Sequence, residues 1–89
     1  MKRKQREPRS LYELGVGNEG IVTEIRSTGA MKRRLVDMGI TPGVRIYVRK
    51  VAPLGDPIQI HLRGYELLVR GSEAKEIGIR TEWRKGAME

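Results

Sequence analysis

The strongest constraint in the sequence is a period of two, kept over three short segments. Val44, Ile46 and Val48 alternate with Arg45, Tyr47 and Arg49. Ile58, Ile60 and Leu62 alternate with Gln59, His61 and Arg63, and Tyr65, Leu67 and Val69 alternate with Glu66, Leu68 and Arg70. Successive side chains of a strand point to opposite faces, so each segment reads as a strand with one buried face. Arg63-Gly64 links the last two as a tight hairpin turn. The phase slips near Lys50 and Val51, which predicts a bulge or a strand end. Upstream, Ile21, Thr23 and Ile25 alternate with Glu24 and Arg26, with Val22 out of phase. Ile77 and Ile79 form a last short strand.

One helix interrupts the strands. Met31, Leu35 and Met38 recur at i, i+4 and i+7, an apolar stripe about one helix face wide. Thr28 is the expected N-cap and Gly39 the left-handed residue that ends the helix. Thr41-Pro42-Gly43 is a turn, as is the stretch from Gly17 to Gly20. Residues 72–76 read as one helical turn capped by Ser72. The sum is about five short strands with an inserted helix, mainly β, and such a set closes or nearly closes into a small barrel that hides its sheet edges.

The chain has 89 residues, the length of one small domain. Leu, Ile and Val together number 22, enough for a modest core. Of the net charge of +7, +4 falls in residues 1–9, which carry no apolar residue after Met1. That stretch cannot offset the entropy of its own ordering and is expected to be a flexible basic tail. The folded domain is expected over residues 10–80, with residues 81–89 a second tail against which Trp83 could pack back. Basic tails bind nucleic acid or anionic bilayers, or simply solvate the chain. The remaining +3 is too small to argue for nucleic acid. With no Cys and one His there is no disulfide framework, thiolate site or histidine cage. No apolar run exceeds Leu67-Leu68-Val69, far short of a membrane span. A reducing, cytoplasmic setting follows as the simplest expectation.

Nothing in the sequence assembles catalytic chemistry. By alternation His61 points away from the core, and no helically spaced carboxylate accompanies it. Asp56, between Gly55 and Pro57, suits a turn in which its carboxylate caps nearby backbone N–H groups. No phosphate-cradling glycine motif occurs, so no enzyme and no cofactor are expected. Binding remains. Leu54 stands in a loop stiffened by Pro53 and Pro57, either as a rigid anchor for a partner or folded over the barrel mouth. Tyr47 points outward and Tyr65 is in register with the core. Lys32, Arg33 and Arg34 follow one another on the helix and fan out over its surface.

Three linked blocks carry a resemblance. They are residues 31–43 (MKRRLVDMGITPG), residues 52–57 (APLGDP) and Arg63-Gly64-Tyr65. With Leu11-Tyr12-Glu13-Leu14, Gly17 and Gly20, their order and spacing closely resemble the FeoA family, ferrous iron transport protein A, over residues 10–79. The resemblance implies an SH3-like small β-barrel with an inserted helix. It also implies a cytosolic accessory of bacterial Fe(II) uptake whose partner is the membrane permease FeoB, which carries a GTPase domain.

On that reading the contact surface is Leu54, Gly55, Asp56 and Pro57 with a neighbouring turn of Arg63, Gly64 and Tyr65. Contact with the membrane is then indirect, through the permease. The family is often labelled metal-binding, but no metal-ligand set stands out here. The alternative is a metal-responsive or nucleic-acid-associated module similar to the C-terminal domain of DtxR-type repressors. The basic tail and the extension after Thr81 depart from the family pattern and leave room for a further contact.

Overall fold

The computed structural model describes residues 8–81. In chain order the elements are α1 (Leu11–Leu14), β1 (Glu19–Ile25), α2 (Gly29–Asp37), β2 (Arg45–Val51), β3 (Ile58–Leu62), β4 (Tyr65–Val69), α3 (Gly71–Ala74) and β5 (Ile77–Arg80). The five strands form one antiparallel sheet in the order β4-β3-β2-β1-β5. Bulges fall between Val48 and Lys50 in β2 and between Val22 and Glu24 in β1. The first is the phase slip read in the sequence. The second corrects the expected face of β1: Val22 is in the core at 1% exposure, and Thr23 is exposed.

The sheet does not close into a barrel. Its edge strands β4 and β5 do not pair with each other. The outer side of β5 is taken instead by the chain entering α1, through an isolated bridge between Ser10 and Gly78 and a hydrogen bond from Ile79 N–H to the Arg9 carbonyl. Ser10 also caps α1, its hydroxyl accepting from the Glu13 N–H.

The period-two residues meet in one core, except Tyr65, which the alternation places in register with it but which is exposed at the start of β4. Leu35, Ile40, Ile46, Ile60, Ala74 and Ile77 have no exposed surface. Each large member contributes about 1.5–3 kcal/mol by leaving water. Leu35 is the buried residue of α2, with Met31 and Met38 packed half-buried beside it. Thr28 holds the N-cap position, but its side chain makes no capping bond. The helix ends as expected at Gly39, whose φ of +95° suits glycine. The Gly39 N–H donates to Val36 and the Ile40 N–H to Leu35, a Schellman closure that buries Ile40. The link between β3 and β4 is a hairpin turn with positive φ at both Arg63 and Gly64, the geometry that matches strand twist. Trp83 and the two tails lie outside the described residues, apart from Pro8, Arg9 and Thr81.

Candidate partner-binding surface

Residues 52–57 form a tight loop between β2 and β3. The Ala52 N–H donates to the Pro57 carbonyl at 3.0 Å and the Gly55 N–H to the Ala52 carbonyl at 2.7 Å. Asp56 reaches out of the loop, and its Oδ1 accepts the Gly71 N–H at 3.0 Å. A carboxylate there satisfies one of the unpaired N–H groups at the start of α3. The turn chemistry read for Asp56 therefore holds, with a partner fifteen residues away instead of a local one. It also bears on the start of α3. The expected cap, Ser72, lies inside the helix, and Arg70 takes the cap position, its N–H donating to Glu73 Oε1 at 2.8 Å.

Gly71 is closely packed: a Cβ there would come within 3.2 Å of both Asp56 Oδ2 and Tyr12 Cε1, which would have to give by a few tenths of an ångström. The loop thus rests on a corner made by α1 and α3. Lys75 Nζ stands 4.7 Å from the centre of the Tyr12 ring on that corner, a cation–π contact. With its base pinned, the loop presents Leu54 outward at 92% exposure. Of the two placements open in the sequence, the projecting one is observed.

The turn of Arg63, Gly64 and Tyr65 is not a neighbour of this loop. The loop leads into Ile58, paired with Val69, while the turn follows Leu62, paired with Tyr65. The length of β3, about 14 Å at 3.4 Å per residue, separates the two ends. Tyr65 is 40% exposed, because it begins its strand beside the turn. Its hydroxyl donates to the Met38 carbonyl at 2.7 Å, tying β4 to the end of α2.

One polar cluster escaped the sequence reading. On the outer face of the hairpin, His61 Nδ1 lies 2.8 Å from Glu66 Oε2, and Arg49 Nε and Gln59 Nε2 each lie 3.1 Å from the same carboxylate. The His61 hydrogen bond first, then those of Gln59 and Arg49, holds the Glu66 carboxyl below its ordinary range. The signal was present: a two-residue turn at 63–64 dictates that 61 and 66 face each other. The three partners converge on the Glu66 carboxylate. No group of three or more His, Asp or Glu side chains able to hold a metal occurs among the described residues.

A five-stranded antiparallel sheet filled by its own side chains, with one helix inserted between strands, defines a small β-module of SH3 type. The FeoA domain family model matches residues 9–81. The chain belongs to the FeoA family, whose members' names tie it to ferrous iron transport. It is 36% identical to a FeoA-like protein from Clostridium acetobutylicum, with a TM-score of 0.80 over 90% of this chain and 93% of that one. A Stenotrophomonas maltophilia FeoA complexed with zinc, described as an SH3 domain protein, superposes at a TM-score of 0.71 with 24% identity, covering 81% of this chain and 89% of that one. A relative from Porphyromonas gingivalis, an Fe(2+) transport protein A/FeoB fusion, is 29% identical over 69 residues, 78% of this chain. The chain spans only 8% of the length of that relative. A manganese-dependent transcriptional repressor shares the fold alone, at 18% identity and a TM-score of 0.76 over 89% of this chain and 38% of that one.

Proposed function

We propose that this protein is a non-enzymatic accessory of ferrous iron uptake that docks on the cytosolic part of a FeoB-type permease and modulates transport. The observation that carries the reading is Leu54, 92% exposed on a loop whose base is held by the Asp56–Gly71 hydrogen bond. A large aliphatic side chain held in water on a rigid support loses little entropy on docking and gains the free energy of burial in a partner's pocket. The fusion of a related domain to FeoB in one relative supports the choice of partner. Gly55, Asp56 and Pro57 shape and hold the tip. Tyr65 and the turn before it take a structural part, bracing the end of α2 from the far end of the hairpin.

The test is a titration of the permease's isolated cytosolic domain with the wild-type chain and with Leu54→Ala. Saturable wild-type binding weakened at least tenfold by the substitution is expected. Undetectable wild-type binding overturns the partner; equal affinities overturn the loop assignment.

A further inference from the structure

Leu54 does not stand alone at its end of the molecule. Tyr12 of α1 borders the loop: its hydroxyl lies 3.5 Å from the place of a Cβ on Gly55, and its Cε1 lies 3.2 Å from that of a Cβ on Gly71. The ring thus fits between the loop and α3, yet Tyr12 stays 42% exposed. Leu68, also exposed, pairs with Gln59, one residue inside the end of β3 that the loop enters. Three of the six exposed large apolar side chains among the described residues, Tyr12, Leu54 and Leu68, gather at this end. Aromatic and aliphatic anchors close together are the composition of protein interface centres.

One cation is fixed beside this group. Lys75 Nζ stands 4.7 Å from the centre of the Tyr12 ring. Lys75 is exposed and makes no ion pair among the described residues. The nearby carboxylates do not pair with it: Asp56 accepts the Gly71 N–H, and Glu73 faces Arg34. A ring face attracts an ammonium but supplies no oxygen to accept its N–H groups. The lysine is therefore held in place with its donors still available to a partner.

We infer that Lys75, held over Tyr12, is the polar half of the Leu54 contact, and that the permease surface receiving Leu54 and Tyr12 carries a carboxylate that pairs with the Lys75 ammonium. The inference rests on the reading that Leu54 is the docking anchor. An apolar pocket alone accepts many aliphatic tips, whereas a carboxylate at its rim selects the tip that brings a cation at the right place. An anionic bilayer fits less well. Such surfaces attract clusters of four to eight Lys and Arg; the described residues around the loop offer Lys50, Arg70 and Lys75, with Asp56 among them.

The experiment titrates the permease's isolated cytosolic domain with the wild-type chain, Leu54→Ala, Lys75→Gln, Lys75→Glu and Lys75→Arg, at low and physiological salt. Far-UV circular dichroism confirms that each variant is folded. At low salt Lys75→Gln should bind about threefold more weakly and Lys75→Glu roughly tenfold more weakly. Lys75→Arg keeps the charge and the ring contact and should bind within about twofold of the wild type. These gaps should shrink as salt rises. Leu54→Ala weakened while Lys75→Gln and Lys75→Glu bind like the wild type overturns the Lys75 pairing alone. Equal weakening by Gln and Glu also overturns it, because the sign of the charge is then not read. Undetectable wild-type binding overturns the choice of partner and this pairing with it. Tighter wild-type binding to phosphatidylglycerol vesicles than to the domain, lost in Lys75→Glu, overturns a protein carboxylate as the ligand.

Discussion

The Tyr65 hydroxyl donates to the Met38 carbonyl at 2.7 Å and sits directly against Gly39, in the space a Cβ there would fill. Two features of the α2 terminus, its last carbonyl and its left-handed glycine, thus share one phenol. Tyr65→Phe should cost about 1 kcal/mol, the net worth of one hydrogen bond. Gly39→Ala must hold an L residue in the left-handed region, at about 1–2 kcal/mol, and must also displace the hydroxyl. In the double variant the hydroxyl is lost only once. Its destabilisation should therefore fall about 1 kcal/mol short of the sum of the singles. Urea unfolding of the four proteins measures this, and strict additivity would show that the hydroxyl does not obstruct a Cβ.

Asp56 joins the candidate contact loop to the start of α3. Asp56→Ala should destabilise the fold by roughly 0.5–2 kcal/mol, the range for losing a helix-capping acceptor. Asp56→Asn keeps an acceptor oxygen and should cost about half as much or less. The substitution should also weaken permease binding although Asp56 lies at the base of the loop, because an unpinned loop must be ordered on docking. Unfolding and binding titrations on the same two variants separate these effects. Full stability in Asp56→Ala would show that the Gly71 N–H finds water equally well.

How much of this was legible in the sequence depended on how local the cause was. The three alternating segments, the bulge after Val48 and the Gly39 stop each arise from neighbouring residues, and each is found where it was read. Val22 was misplaced because a single bulge reverses the faces of β1, and one out-of-phase residue does not say where the extra residue sits. Ser72 was misplaced as a cap because α3 begins where Asp56 and Glu73 can accept N–H groups, and Asp56 comes from another loop. The separation of Leu54 from Tyr65 was readable: two links at opposite ends of β3 cannot be neighbours. The failure of β4 and β5 to pair was not, since only the three-dimensional path of residues 9 and 10 shows that the outer side of β5 is already covered.

Glu73 supplies a prediction about unequal partners. Its side chain is 5% exposed, accepts the Arg70 N–H at 2.8 Å through Oε1, and faces Arg34 Nη2 at 3.3 Å through Oε2. Arg34 is half exposed, so water screens the pair, and Arg34→Ala should cost under about 1 kcal/mol. Glu73→Ala leaves the Arg70 N–H at the start of α3 without its acceptor and should cost about 1–3 kcal/mol. Chemical denaturation of both variants checks the order; an equal or larger loss for Arg34→Ala would place the energy in the ion pair and not in the cap.

Glu66 contributes to the acid side of the stability profile. Its carboxyl is held below the ordinary value of 4.5, chiefly by the His61 hydrogen bond and then by those of Gln59 and Arg49. The folded state therefore favours the ionised form more than the unfolded chain does. This contribution is fully present above the unfolded carboxyl range and is lost as the pH falls through the lowered folded value. At neutral pH the wild type should unfold at higher urea than Glu66→Gln, and the gap should narrow as the pH falls through the lowered carboxyl range. The group is exposed, so the gap is small and is best read beside a direct titration. In His61→Ala the Glu66 side-chain carboxyl carbon, followed by NMR, should titrate at higher pH than in the wild type. A titration left unchanged by that substitution would mean that the 2.8 Å contact does not stabilise the carboxylate in solution.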